Sequence, residues 1–208
     1  MQNFDDGFNS ESDSWTTKVK VQTFTLQYFT AEIMNKITRY ADIPQFTRDG
    51  NWQCDYRWDK GIEAIQEWVA QDNLQLNPDF QRLHVWTEAQ QIAFIEFFMR
   101  GGKTGNVIYL NHPGWQRGYK GEFVLVDGKQ RIEALRRFRD NEIPLFGSFI
   151  SEFTDKPTWT DCTLKINVNT LSTRAEVLQW YLDMNSGGTP HTAEEIEKAR
   201  KLLEAERK

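Results

Sequence analysis

The run Phe123-Val-Leu-Val126 is apolar throughout and passes directly into Asp127-Gly128. Beyond it the period changes: between Gln130 and Arg139, Ile132, Leu135 and Phe138 fall on one helical face. A buried strand ends, the chain turns tightly at Gly128, and a helix begins at once. That junction constrains the fold most, because it sets three elements in immediate succession. It also creates a place for an anion, since a helix N-terminus presents backbone N–H groups and the positive end of the helix dipole.

The remaining elements follow from period and punctuation. Val19-Lys-Val-Gln-Thr-Phe-Thr-Leu26, within Lys18–Phe29, alternates as a half-buried strand should. Trp52–Trp58 is aromatic but broken by Asp and Arg, and reads as irregular or short-stranded. Trp58–Ala70 is predicted helical from Ile62, Ile65, Trp68 and Val69, and Gln71–Pro78 is a connection rich in turn residues. Thr87-Glu-Ala-Gln90 is a capping box that opens a helix carrying Ile92, Ile95, Phe98 and Met99, stopped by Gly101-Gly102. Val107–Leu110 and Thr163–Val168 are predicted strands. Thr173-Arg-Ala-Glu176 caps a helix with Val177, Trp180, Tyr181 and Met184, which Asn185-Ser-Gly-Gly188 ends. Thr192-Ala-Glu-Glu195 caps a last, highly charged surface helix running to Lys208. Strands and helices mix without strict alternation, so the expected class is α+β.

Charge and composition exclude several classes. No run approaches the roughly 18 apolar residues of a membrane helix. The N-terminus lacks both a basic start and an apolar core, so it does not read as a secretory signal. Cys54 and Cys162 form no CxxC pair and are expected to be reduced thiols, and His84, His112 and His191 are too scattered for a zinc site. Of the net charge of −5, Asp5, Asp6, Glu11 and Asp13 supply most, so residues 1–16 are expected to be a mobile acidic tail and 17–208 one domain. The bulk charge does not advertise a nucleic-acid binder. A local cluster, Lys129, Arg131, Arg136, Arg137 and Arg139, reads either as a solvated helix face or as a nucleic-acid surface.

The chemistry concentrates at the strand–helix junction. Arg131 offers a bidentate, charge-assisted grip on phosphate oxygens. Asp127, at the strand end, suits a divalent metal or the orientation of a water or hydroxyl. The same residues also read as an ordinary strand-turn-helix with an Asp cap and a solvated Arg. Gly101-Gly-Lys-Thr-Gly105 lacks P-loop spacing and follows a helix rather than a strand, so it is not a P-loop, though it remains a phosphate-contacting loop by composition. His84 reads as a satisfied or solvent-facing imidazole and His112 as a loop residue.

Three blocks, in order, resemble one family. Asp127-Gly-Lys-Gln-Arg131 after an apolar strand looks like the Asp-Gly-Gln-Gln-Arg motif of the GmrSD-type N-terminal domain family, and is similar to the Gly-Glu-Arg-Arg box of ParB proteins. Asn77-Pro-Asp-Phe-Gln-Arg82 with Val85-Trp86-Thr87 resembles that family's Pro-x-Tyr-Gln-Arg-x-x-x-Trp segment. Met184-Asn-Ser-Gly-Gly-Thr-Pro-His191, followed by Glu194-Glu195, resembles its Asn-x-Gly-Gly-x-Pro-Leu-x-x-Glu-Glu element. Lys129, Phe80 and His191 depart from the family's Gln, Tyr and Leu.

The resemblance implies a ParB/sulfiredoxin-like fold, a small mixed sheet with surrounding helices. It implies a Mg²⁺-dependent domain that binds ATP, CTP or GTP and hydrolyses it or transfers its phosphoryl group in a DNA-related restriction, defence or phage DNA-modification role. Asp127, Gln130 and Arg131 would then be catalytic, with Asp127 also the Mg²⁺ ligand. Gly128, Lys129, Gln81, Arg82, Asn185, Gly187 and Gly188 would hold the nucleotide. Two alternatives stand beside it: a kinase acting on a hydroxyl of a DNA base or protein, and a non-catalytic nucleotide- or DNA-binding module acting through a partner. A cytoplasmic setting, in a bacterium or a phage-infected cell, is expected. No His-Asn-His-type nuclease region occurs in these 208 residues, so cutting is not expected of them.

Overall fold

The computed structural model describes residues 37–48, 50, 52–81, 85–155, 162–185 and 193–207. The predicted strand at Lys18–Phe29, the acidic tail, the cap at Thr192 and the site residues Arg82, Gly187 and Gly188 lie outside the described residues. The chain divides into two units, Met1–Pro44 and Gln45–Lys208. Of the first, a 3-10 turn at Tyr40–Asp42 is described. The second carries the sheet and helices.

Four strands form one mixed sheet: β1 (Trp52–Arg57), β2 (Val107–Asn111), β3 (Val124–Asp127) and β4 (Thr163–Asn169). Their order is β1-β4-β2-β3, with β4 and β2 parallel and the outer pairs antiparallel. Helices α1 (Trp58–Gln71), α2 (Glu88–Met99), α3 (Lys129–Arg139), α4 (Arg174–Asn185) and α5 (Ala193–Glu206) surround it. The class is α+β, as expected.

Alternation along the strands divides the core in two. Ile108, Leu110, Leu125, Leu164, Ile166 and Val168 pack with Trp58, Ile62 and Ile65 of α1, Phe98 of α2, and Leu135 and Phe138 of α3. Val124 and Val126 point the other way, to Val177, Leu178, Trp180 and Tyr181 of α4, Leu203 of α5 and Phe80. Val124–Val126 of β3 are therefore all apolar because both faces of the strand are covered. The edge of β3 is extended by Gln75, which bridges Val124 in parallel, with Gln75 N–H donating to Phe123 O at 2.9 Å and Leu125 N–H to Gln75 O at 3.0 Å.

Local signals account for the helix ends. The capping box at α2 forms as predicted: Gln90 N–H donates to Thr87 Oγ1 at 3.3 Å and Thr87 N–H to Gln90 Oε1 at 2.9 Å. Gly101, at φ +83, ends that helix. Thr173 and Glu176 reciprocate at α4, and the backbone N–H of Thr173 holds the Glu176 carboxyl below its usual range. Of the two readings of Trp52–Trp58, the short strand is the one that forms: Trp52–Arg57 alternates half-buried and exposed residues and pairs antiparallel with β4.

The arginines of the basic cluster on α3 are ion-paired. Arg136 pairs with Glu133, Asp140 and Glu142, Arg137 with Glu88 and Glu142, and Arg139 with Asp140. These arginines lace the helix surface to its neighbours, and the solvated-face reading describes them better than a nucleic-acid surface.

Candidate functional site

β3 delivers Asp127 to the sheet end, and Gly128 makes the turn at φ +117, ψ 3. Only glycine suits that backbone, and a Cβ there would stand 2.5 Å from Ile108 Cδ1 and 3.4 Å from Ile108 Cα. Asp127 Oδ1 accepts the Gly128 N–H at 2.7 Å. Its Oδ2 is ion-paired with Arg131 Nη2, one turn along α3. Arg131 Nη1 donates to the Gly105 carbonyl at 3.1 Å, which brings in the Gly101–Gly105 loop. The Arg131 side chain is 14% exposed and that of Asp127 42%. The guanidinium is thus seated between a carboxylate and a carbonyl, and it keeps further N–H donors beyond those two bonds.

Two glutamines of the predicted site tie its framework together. Gln81 Nε2 donates to Leu125 O at 3.1 Å and Val126 O at 2.7 Å, clamping the second block along β3 beside Asp127. Phe80, next to it, is buried and its ring centroid lies 5.2 Å from that of Tyr181, so a phenyl ring is suited where the family has Tyr. Gln130 is buried, and its Oε1 accepts the N–H groups of Val85 and Trp86, each at 3.1 Å. The first and second blocks are therefore one physical unit. Gln130→Ala strands two backbone donors and is expected to destabilise the domain by about 1–3 kcal/mol. A lowered urea midpoint at unchanged slope is the expected reading; an unmoved midpoint would show the bonds to be replaceable.

Lys129, beside the turn, is pushed below the ordinary lysine range by burial. With Leu76, Asn77, Leu125, Ile132 and Glu133 it borders a hollow of about 300 Å³. Asn185 is not drawn to Asp127 and Arg131 by any described contact; its Nδ2 donates to Tyr181 O at 2.6 Å, within its own helix. The Gly105 carbonyl is the participant that sequence reasoning missed, although the positive φ of Gly105 (+77) has a sequence signal in its glycine.

Asp127 is the carboxylate that the described residues bring to Arg131 and Gly128. Each of its oxygens carries one hydrogen bond and retains a second lone-pair direction. That donor set fits Mg²⁺ held chiefly by nucleotide phosphates with one protein carboxylate, not an all-protein cage. Among the described residues no three or more His, Cys, Asp or Glu converge on a common point, and no helix is long and apolar enough to cross a membrane.

A strand–Gly–helix junction thus carries the Asp127–Arg131 pair at one end of the sheet of an α+β fold. Residues 65–162 match the family described as the GmrSD restriction endonuclease, N-terminal domain. This is the family that the three blocks resemble; the matched span holds the second block and the Asp127–Arg131 loop, and ends before Met184–His191. No curated protein matches the chain, and no solved structure does.

Proposed function

We propose that this domain binds a nucleoside triphosphate with Mg²⁺ at the Asp127–Arg131 junction and hydrolyses it or transfers its phosphoryl group. The setting is a DNA-related restriction or defence role, as the name of the matched family suggests. The observation that carries this reading is the Asp127–Arg131 ion pair, set at the glycine turn that opens α3.

Each residue has a distinct task. Arg131, anchored by Gly105 O, turns its remaining donors to phosphate oxygens, where charge-assisted bonds are strongest. The first turn of α3 adds the favourable end of its dipole. Asp127 orients the attacking water or acceptor hydroxyl and lends one oxygen to the metal. Mg²⁺, when bound, neutralises charge on the phosphoryl oxygens, and positioning then accounts for most of the catalysis. Gln81 and Gln130 act as positioning residues, holding β3 and the second block at the pocket. Lys129 adds positive charge beside the phosphates.

The test is release of labelled phosphate from ATP, CTP and GTP with Mg²⁺, with and without DNA. Release from nucleotide alone is expected of a hydrolase. Label appearing in DNA or protein identifies a kinase. Saturable binding without release in any condition would overturn the catalytic claim and leave a nucleotide- or DNA-binding module.

A further inference from the structure

The β2–β3 hairpin has a second end. Tyr109 pairs with Asp127 at one end and Asn111 with Val124 at the other, so the connecting loop stands away from the phosphate junction. Between that loop and the C-terminal end of α1 lies a hollow of about 280 Å³, lined by Asp72, Gln75, His112, Tyr119 and Glu122 among others. Its size is just below the range of drug-sized ligand pockets and suits a small planar group.

His112 reads from sequence as a loop residue, yet it is only 2% exposed. Phe123, Tyr119 and Trp115 surround it, with ring centroids 5.0, 5.7 and 6.2 Å away. Its Nδ1 accepts the Gly114 N–H at 3.0 Å, which assigns the ring proton to Nε2. Among the described residues nothing accepts from that Nε2–H, and it is not one of the side-chain donors shut away without a partner, so it is open to the hollow that His112 lines. Burial pushes the imidazole below the ordinary histidine range while the Asp72 charge pulls the other way, so the two groups sense each other. At neutral pH the ring is therefore a neutral donor.

Acceptors complete the lining. The Asp72 carboxylate makes no hydrogen bond or ion pair among the described residues. Glu122 accepts from Gln75 Nε2 at 3.4 Å and lies 3.8 Å from Arg174 Nη1. The carbonyl end of α1 reinforces their preference for donors. Tyr119 is 55% exposed and offers an aromatic surface at the mouth. One fixed donor, carboxylate acceptors and an aromatic ring line the same hollow, and together they complement a flat group that presents an acceptor next to an amine.

The geometry points to a base-binding site: the hollow takes an amino-bearing nucleobase, cytosine or adenine, through His112 Nε2–H and the Asp72 carboxylate, with Tyr119 stacking on it. In such bases a ring acceptor lies beside an exocyclic amine, and acidic side chains accept from that amine. Stacking on an aromatic ring is the common way to hold an unpaired base. The base arrives either as a free nucleoside or nucleotide, or unpaired within a strand. This site does not depend on the phosphate chemistry at Asp127.

Calorimetric titration with cytidine, adenosine, uridine and thymidine, and with single strands of dC, dA or dT, tests it. Saturable binding of an amino-bearing base is expected, weakened at least about tenfold by Asp72→Asn at the exposed end of α1. His112→Gln, checked for folding by circular dichroism, should weaken it similarly. Binding by free nucleosides marks a small-molecule source, and binding by strands alone marks a nucleic-acid source. Equal affinity for uridine or thymidine, affinity unchanged in Asp72→Asn, or no saturation by any probe would overturn the assignment.

Discussion

Gly128→Ala is expected to destabilise the Gln45–Lys208 unit by about 2–6 kcal/mol and to remove nucleotide binding with it. Two costs combine. The backbone at φ +117 is strained for any side chain, at about 1–3 kcal/mol. The new methyl would also meet Ile108, whose side chain is fully buried in the core and stiff at its branched Cβ. Forcing a carbon into packed space costs about 1–3 kcal/mol more. Against the roughly 5–15 kcal/mol of a typical domain this is a large fraction. Urea unfolding gives the measurement; a loss below about 0.5 kcal/mol would mean the turn relaxes freely and is not a constraint on the site.

The second large effect is on catalysis. Asp127→Ala is expected to reduce phosphate release about 100-fold or more, the scale of a lost positioned base. The carboxylate acts twice: it holds Arg131 Nη2 and the Gly128 N–H, and in the proposed role it orients the nucleophile. Removing it frees the guanidinium and loosens the turn, with a stability loss of about 1–2 kcal/mol. The two contributions separate experimentally. A variant that unfolds near the wild-type midpoint yet fails to release phosphate supports the catalytic role, whereas near-wild-type release would exclude it.

Much of this was legible in the chain because its signals are local. The capping boxes at Thr87 and Thr173, the Gly101 stop and the Val126–Asp127–Gly128 junction depend on residues within four of one another. Asp127 and Arg131 meet for the same reason, being one helical turn apart. Trp52–Arg57 was harder to read. Trp52, Cys54 and Tyr56 do alternate with polar residues, but α1 begins at Trp58 with no turn residue between, and the aromatic run blurs the boundary.

Partners that are backbone groups distant in sequence leave no such trace. Gln81 and Gln130 were visible as motif residues, but nothing in their spacing says that they hold carbonyls of β3 and N–H groups near Val85, more than forty residues away. The Gly105 carbonyl that seats Arg131 has no side chain to announce it. The burial of His112 arises from aromatic rings that converge only when the β2–β3 loop folds back. The arginines of α3 were the opposite case. Glu133 and Asp140 stand at helical spacing from Arg136, so their neutralising effect was present in the pattern.

The central claim, that Arg131 at the glycine turn receives a triphosphate, is tested most directly by calorimetric titration of Mg²⁺–nucleotide into wild type and Arg131→Ala. Saturable binding to the wild type, weakened by about 1.5–3 kcal/mol in the variant, is the predicted result. Equal affinity in the two proteins would contradict it and move the phosphate away from the Asp127–Arg131 junction.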